Sequence, residues 1–261
     1  MENNGNPAQR LYEIAKEASS FEPSERSLYV WGRIFEISPT EQKKFTRDEE
    51  NRIVSLVNEC RELVDLVEDL LKKNPEIPHD IYLRPFPKLK KLFCKPSQIT
   101  SEHRQNCTLE YTDLTLLEAC IYGVNRVYSE KVVDENELKN LAKEVSELYE
   151  TIIGLDIDKN LKRILLDMLK VMENAIHEYR IRGIERIGEA VERLIGIYIC
   201  NKEQIKASKV KEVGKVKQLL SKFGALWAFA ADSKELLGDG SVVTNAKEII
   251  TRLSRLLGAG E

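Results

Sequence analysis

All eight prolines of this 261-residue chain lie at or before Pro96, and the stretch from Ser97 to Glu261 has none. Proline removes a backbone donor and clashes with the preceding helical turn, so it breaks helices and collects in loops. A run this long without it predicts long helices joined by short turns.

The apolar spacing carries the same message from the start of the chain. Asn6-Pro7-Ala8-Gln9 offers an N-cap, a proline at the first helical position and a glutamine at the third. Leu28, Trp31, Ile34 and Phe35 mark a second helix. Thr46 and Glu49 form a capping box for a long third. Its stripe is Ile53, Val57, Cys60, Val64, Val67 and Leu71, in steps of 4, 3, 4, 3, 4, a heptad seam. Lys72 and Lys73 close it where the helix dipole favours cations.

The texture then changes. Asn74 to Asn106 holds five of the eight prolines and two of the three histidines. It reads as an irregular connector with a short helix around Leu89 to Phe93, and connectors of this length are often functional or interfacial.

Regular stripes resume with Leu114, Leu117, Ile121, Val124 and Tyr128. Leu138, Leu141, Val145, Leu148 and Ile152 follow, entered through Asp134 and Glu137. Leu161, Leu165, Met168, Met172, Ala175 and Tyr179 lead to Arg180, Arg182 and Gly183, a C-cap signature. The pattern restarts at once with Ile184, Ile187, Val191, Leu194 and Tyr198, which predicts a kink or very tight turn at Gly183. Val213, Val216, Leu220, Phe223 and Trp227 make another helix, and a last one runs from about Thr244 through Ile250, Leu253 and Leu257.

No period-2 strand stands out, and Val242-Val243 is too brief to be one. No repeat of fixed length supports a solenoid. The expected fold is an all-α bundle of about eight helices with one Pro-rich irregular connector. The expected organisation is N-terminal helices over 1–73, the connector over 74–106 and a C-terminal bundle over 107–261. One continuous domain also fits.

Composition agrees with a packed chain: 42% hydrophobic residues and 32% charged ones, interleaved along helix faces. A net charge of -3 creates no bulk demand for nucleic acid or anionic lipid. The balance is uneven, with eleven acidic and five basic residues over 112–160 and eleven basic and seven acidic over 201–261. The start lacks an apolar signal core. The uncharged run Phe223 to Ala231 is far short of the roughly 20 residues of a membrane span. Five scattered cysteines, at 60, 94, 107, 120 and 200, read as reduced thiols of a cytoplasmic protein.

Candidate chemistry is thin. Cys94, His103, Cys107 and Cys120 contain one close pair, where a zinc site wants two, so buried thiols explain them better. His79-Asp80 is an isolated dipeptide. Glu173 and His177 lie at i, i+4 once, with Glu118 or Glu144 as distant partners for a carboxylate-bridged metal. Such pairs arise by chance in a charged helical chain. Nucleophile motifs and phosphate-binding glycine loops are missing. Neither cofactor nor metal is expected.

Three sets of residues remain. His177, Tyr179, Arg180, Arg182 and Arg186 surround the bend at Gly183, where arginines can grip phosphate or carboxylate. Closure of the helix by ion pairs with Glu178, Glu185 or Glu189 is the plainer explanation. Two basic stretches, 84–95 and 202–222, offer Arg84, Lys88, Lys90, Lys91, Lys95, Lys209, Lys211 and Lys215, with Phe86 and Phe93 interleaved in the first. Charge with interleaved aromatics can hold single-stranded nucleic acid, and a solvated helix face is the alternative. Trp31, Trp227 and the connector are candidate partner surfaces, with core burial the favoured reading of the tryptophans.

These features read as a helical protein–protein interaction or assembly protein with no evident catalytic site, binding a protein partner or itself. A nucleic-acid-associated protein using the basic stretches is the alternative. An enzyme with a polar site near the 177–186 bend is another. A membrane-active region around Phe223 to Ala231 is a weaker one. The Tyr-Arg-Gly helix looks similar to bacterial ones, a likeness that carries no function.

Overall fold

The computed structural model describes residues 6–22, 24–39, 44–93, 99, 109–128, 130, 132–234 and 251, with 230–234 described by backbone. The helix expected over 244–257, and Val242-Val243, lie outside this set. All regular structure among the described residues is helical, in eleven elements where about eight were expected. The described chain divides into two compact units between Ser129 and Glu130. The boundaries expected at 73/74 and 106/107 both fall inside the first unit.

The first unit holds α1 (Pro7–Ala18), α2 (Ser27–Ile34), α3 (Arg47–Lys73), α4 (His79–Tyr82), α5 (Phe86–Leu92) and α6 (Tyr111–Asn125). Asn6 caps α1 by accepting from the Gln9 N–H at 2.8 Å. It is fully buried, and its amide nitrogen donates to the Ile121 carbonyl at 3.1 Å and to Asn125 Oδ1 at 2.6 Å. One residue therefore starts a helix and fastens it to α6. The Thr46–Glu49 box forms with both reciprocal bonds, at 3.3 and 2.6 Å.

All six seam residues of α3 are buried, and so are Leu56, Leu63 and Leu70. The apolar stripe is wider than a two-stranded seam, because α3 packs against α1, α2, α5 and α6 at once. The described part of the connector is folded into this core. Its helix begins three residues before the expected start at Leu89, because Pro85 and Pro87 occupy the cap and first turn, where proline is tolerated. Phe86, Leu89, Leu92 and Phe93 are buried, and the Phe93 ring lies 5.4 Å from that of the buried Trp31.

α2 ends in a Schellman turn. The Ile37 N–H donates to the Gly32 carbonyl at 2.8 Å and the Glu36 N–H to the Arg33 carbonyl at 3.1 Å. Glycine usually fills the left-handed position of such a turn. Glu36 fills it here with φ 57, the one described non-glycine residue at positive φ, at a cost of about 1 kcal/mol.

The second unit holds α7 (Glu135–Gly154), α8 (Lys159–Arg182), α9 (Ile184–Cys200), α10 (Lys202–Ala207) and α11 (Lys211–Lys234). Asp134 caps α7 and Asp158 caps α8 through backbone N–H groups at 2.9 to 3.1 Å. The turn expected at Gly183 is a single residue, which ends α8 and begins α9 with φ 61 and ψ -149. That conformation is essentially open to glycine alone. It lets the two helices fold back on each other, with α7 on α8 and α11 on α9. Trp227 of α11 presses on Gly188 of α9, where an added Cβ would stand 2.5 Å from the ring.

Three glycines give a graded expectation. Gly183→Ala costs about 1–3 kcal/mol of backbone strain. Gly188→Ala costs about 1–3 kcal/mol through overpacking against Trp227. Gly196, where a Cβ meets nothing within 4 Å, gains roughly 0.5–1 kcal/mol as alanine, because glycine weakens a helix interior. Denaturant midpoints of the three variants check the order.

Candidate functional site

At the bend, helix geometry places the candidate side chains close together, and carboxylates occupy two of them, Arg182 and Arg186. Two guanidinium nitrogens of Arg182 donate to the two oxygens of Glu189 at 2.8 and 2.5 Å. Arg186 donates to Glu189 at 2.9 Å and to Glu178. Tyr179 accepts the Val133 N–H on its hydroxyl at 3.0 Å. His177 and Arg180 stand exposed on the same turn. The cluster therefore braces a tight turn, and a ligand carboxylate or phosphate has to displace Glu189 to use either fork.

The basic stretches divide in the same way. Lys88 reaches the buried Asp113 at 2.7 Å, and Asp113 also accepts the Glu110 N–H at 2.8 Å at the start of α6. That hydrogen bond raises the Lys88 pKa above the ordinary lysine value. Lys90 bridges Asp65 at 2.8 Å and Glu68 at 2.7 Å, and both bonds raise its pKa. Lys215 stands 4.0 Å from Glu212, and Lys222 grips both oxygens of Glu144 at 2.6 Å. Arg84, Lys91, Lys209 and Lys211 are exposed, with no ion pair among the described residues. Lys95 lies outside that set. The two lysines at the centre of the first stretch thus tie α5 to α3 and α6, which leaves less charge to follow a phosphate backbone.

The metal candidates are not assembled among the described residues. Cys94, His103 and Cys107 lie outside them. Burial pushes the Cys120 thiol up to about 12, and it donates to the Leu116 carbonyl at 3.2 Å, as an unreactive core thiol does. Glu173 accepts from Lys170 at 2.7 Å, and Glu144 is held by Lys222. His79 Nε2 lies 2.9 Å from the Asn74 carbonyl and so belongs to the turn after α3. No helix among the described residues is long and apolar enough to cross a membrane. Phe223 and Trp227 are buried, as Trp31 is, so neither tryptophan is available as a surface anchor.

Two features escape the sequence reading. On α6, Tyr111, Thr115, Glu118 and Tyr122 form an outward stripe in steps of 4, 3, 4, parallel to the buried Asp113, Leu117, Cys120 and Val124. Tyr111 is 85% exposed and Tyr122 64%. Its signal in the sequence is the spacing of Tyr111 and Tyr122, eleven positions and about three helical turns apart. Beside α2 lies a cleft of about 940 Å³ lined by the helix and by Ile37, Pro39 and Phe45.

Comparison with family models, with curated proteins and with solved structures gives no match.

One pH dependence follows from this geometry. Hydrogen bonds from Lys72, then Lys90, hold the Glu68 carboxyl below its ordinary value. A lowered carboxyl stabilises the fold above the unfolded pKa of about 4.3 and loses that contribution as pH falls through its folded value. The wild-type denaturant midpoint therefore falls more steeply below roughly pH 4.5 than that of Glu68→Gln. Equal acid slopes contradict a stabilising role for this cluster.

Proposed function

We propose that this chain is a helical interaction protein that docks a protein partner, or a second copy of itself, on the outer face of α6. The observation that supports the reading is the tyrosine pair. A tyrosine buries roughly 150–250 Å² when covered, offers one polar tip and loses little side-chain entropy on docking. Single exposed apolar residues are ordinary on protein surfaces. Two aromatics aligned on one helical stripe, with a hydroxyl and a carboxylate between them, match the anchors and polar contacts of an interface. The Thr115 hydroxyl already donates to the Tyr111 carbonyl at 2.9 Å, so the first turn of the face is held in place.

The bend between α8 and α9 gives less support to an enzymatic reading, since its arginines hold carboxylates of the chain itself. The paired Lys88 and Lys90 weaken a nucleic-acid reading in the same way.

Light scattering on the purified chain, with mass spectrometry of co-purifying species, tests the reading. The expected result is a defined oligomer or a stoichiometric protein complex that Tyr111→Ser with Tyr122→Ser dissociates. Stability should stay within about 0.5 kcal/mol, because both side chains face solvent. A monomer with nothing bound at roughly 100 µM, well above typical interface Kd values, overturns it. So does a complex that the double variant leaves intact.

A further inference from the structure

The cleft beside α2 has a chemistry of its own. Its volume of about 940 Å³ falls within the roughly 300–1,000 Å³ of ligand sites. Arg26, Tyr29, Arg33 and Glu36 line it from α2 and its flanks in steps of 3, 4, 3, and Phe45 lines it packed against Tyr29. Arg33 is satisfied within the chain, since it pairs with Glu25 and lies 4.6 Å over the Phe21 ring. Two opposite charges remain at the two ends. Arg26 and Glu36 are both exposed, and neither side chain has a partner among the described residues.

Between these charges the wall is aromatic. Tyr29 and Phe45 meet with ring centroids 5.1 Å apart and planes tilted by 46°. Gly32 lets them close up, because a Cβ there would stand 2.6 Å from Phe45 Cζ. The anionic end is the strained one. Glu36 holds a left-handed conformation that glycine would adopt freely, and strain of this kind is characteristically kept where a side chain has work to do.

Span and charge together suit one class of ligand. The eight residues of α2 set the backbones at Arg26 and Glu36 roughly 12–15 Å apart, and an extended peptide covers that in four to five residues. We propose that the cleft binds a short extended peptide segment. The segment places an acidic residue at Arg26 and a basic residue about four positions away at Glu36, with apolar or aromatic side chains between them on Tyr29 and Phe45. This site goes beyond the tyrosine face of α6 and does not depend on it.

Fluorescence polarisation on the full-length chain tests the proposal with two labelled pentapeptide pools. One pool has Asp first and Lys fifth, with mixed Leu, Ile, Val, Phe and Tyr between. The other has Ser at both ends. The first pool should bind at least about tenfold more tightly than the second, the scale of one or two charge-assisted contacts. Arg26→Glu and Glu36→Lys should each abolish that preference, and each should favour a pool whose altered end carries the opposite charge. Glu36→Gly separates function from structure, since it should raise the melting temperature while lowering affinity for the first pool about tenfold. Equal binding of the two pools overturns the proposal. A Glu36→Gly protein that gains stability and binds the first pool unchanged overturns it as well.

Discussion

The second unit depends on one backbone conformation. With φ 61 and ψ -149, Gly183 ends α8 and starts α9 without an intervening loop. Everything around it serves that reversal. The Gly183 N–H donates to the Tyr179 carbonyl at 2.8 Å, the Tyr179 hydroxyl takes the Val133 N–H, and Arg182 and Arg186 clamp Glu178 and Glu189 across the turn. Five residues on, Gly188 leaves room for Trp227, so α11 seats on α9 directly beside the bend. The ion pairs that the sequence offered as the plainer explanation of this cluster brace the reversal.

The same economy runs through the first unit. Asn6, Asp113 and Asn74 are buried polar residues, and each has its partners. Asn6 joins α1 to α6, Asp113 joins α6 to Lys88 of α5, and Asn74 donates to the Gly123 carbonyl at 3.0 Å. Buried polar groups without partners are costly, so satisfied pairs of this kind fix which helices meet. What faces outward from α6 and α2 is therefore what these brackets leave over: two tyrosines on one helix, and a cleft with opposite charges at its ends on the other.

Much of the fold was legible because its signals are local. Caps at Asn6, Thr46 and Asp134, the stripes of α3 and α7–α9, and the turn at Gly183 all follow from nearest-neighbour chemistry. The connector was harder. Its prolines suggested a loop, yet Pro85 and Pro87 sit where a helix tolerates them, and Phe93 packs on Trp31, about sixty residues earlier in the chain. At the bend the partners were visible too, because Glu178 and Glu189 lie within eight residues of the arginines they hold. In the first basic stretch they were not, since Asp113 is twenty-five residues from Lys88. The α6 stripe was overlooked because polar Thr115 and Glu118 separate its two aromatics, and the α2 cleft because Phe45, sixteen residues beyond Tyr29, meets it only in the fold.

Site-specific photo-cross-linking tests the interaction reading most directly. A photoreactive residue at position 118, between the two tyrosines, reports what covers the face of α6 in the native protein. The expected result is one discrete cross-linked species of fixed mass, either a second copy or a single partner, that a photoreactive residue at exposed position 192 on α9 does not give. Diffuse labelling, or the same pattern from both positions, contradicts a docking role for this face.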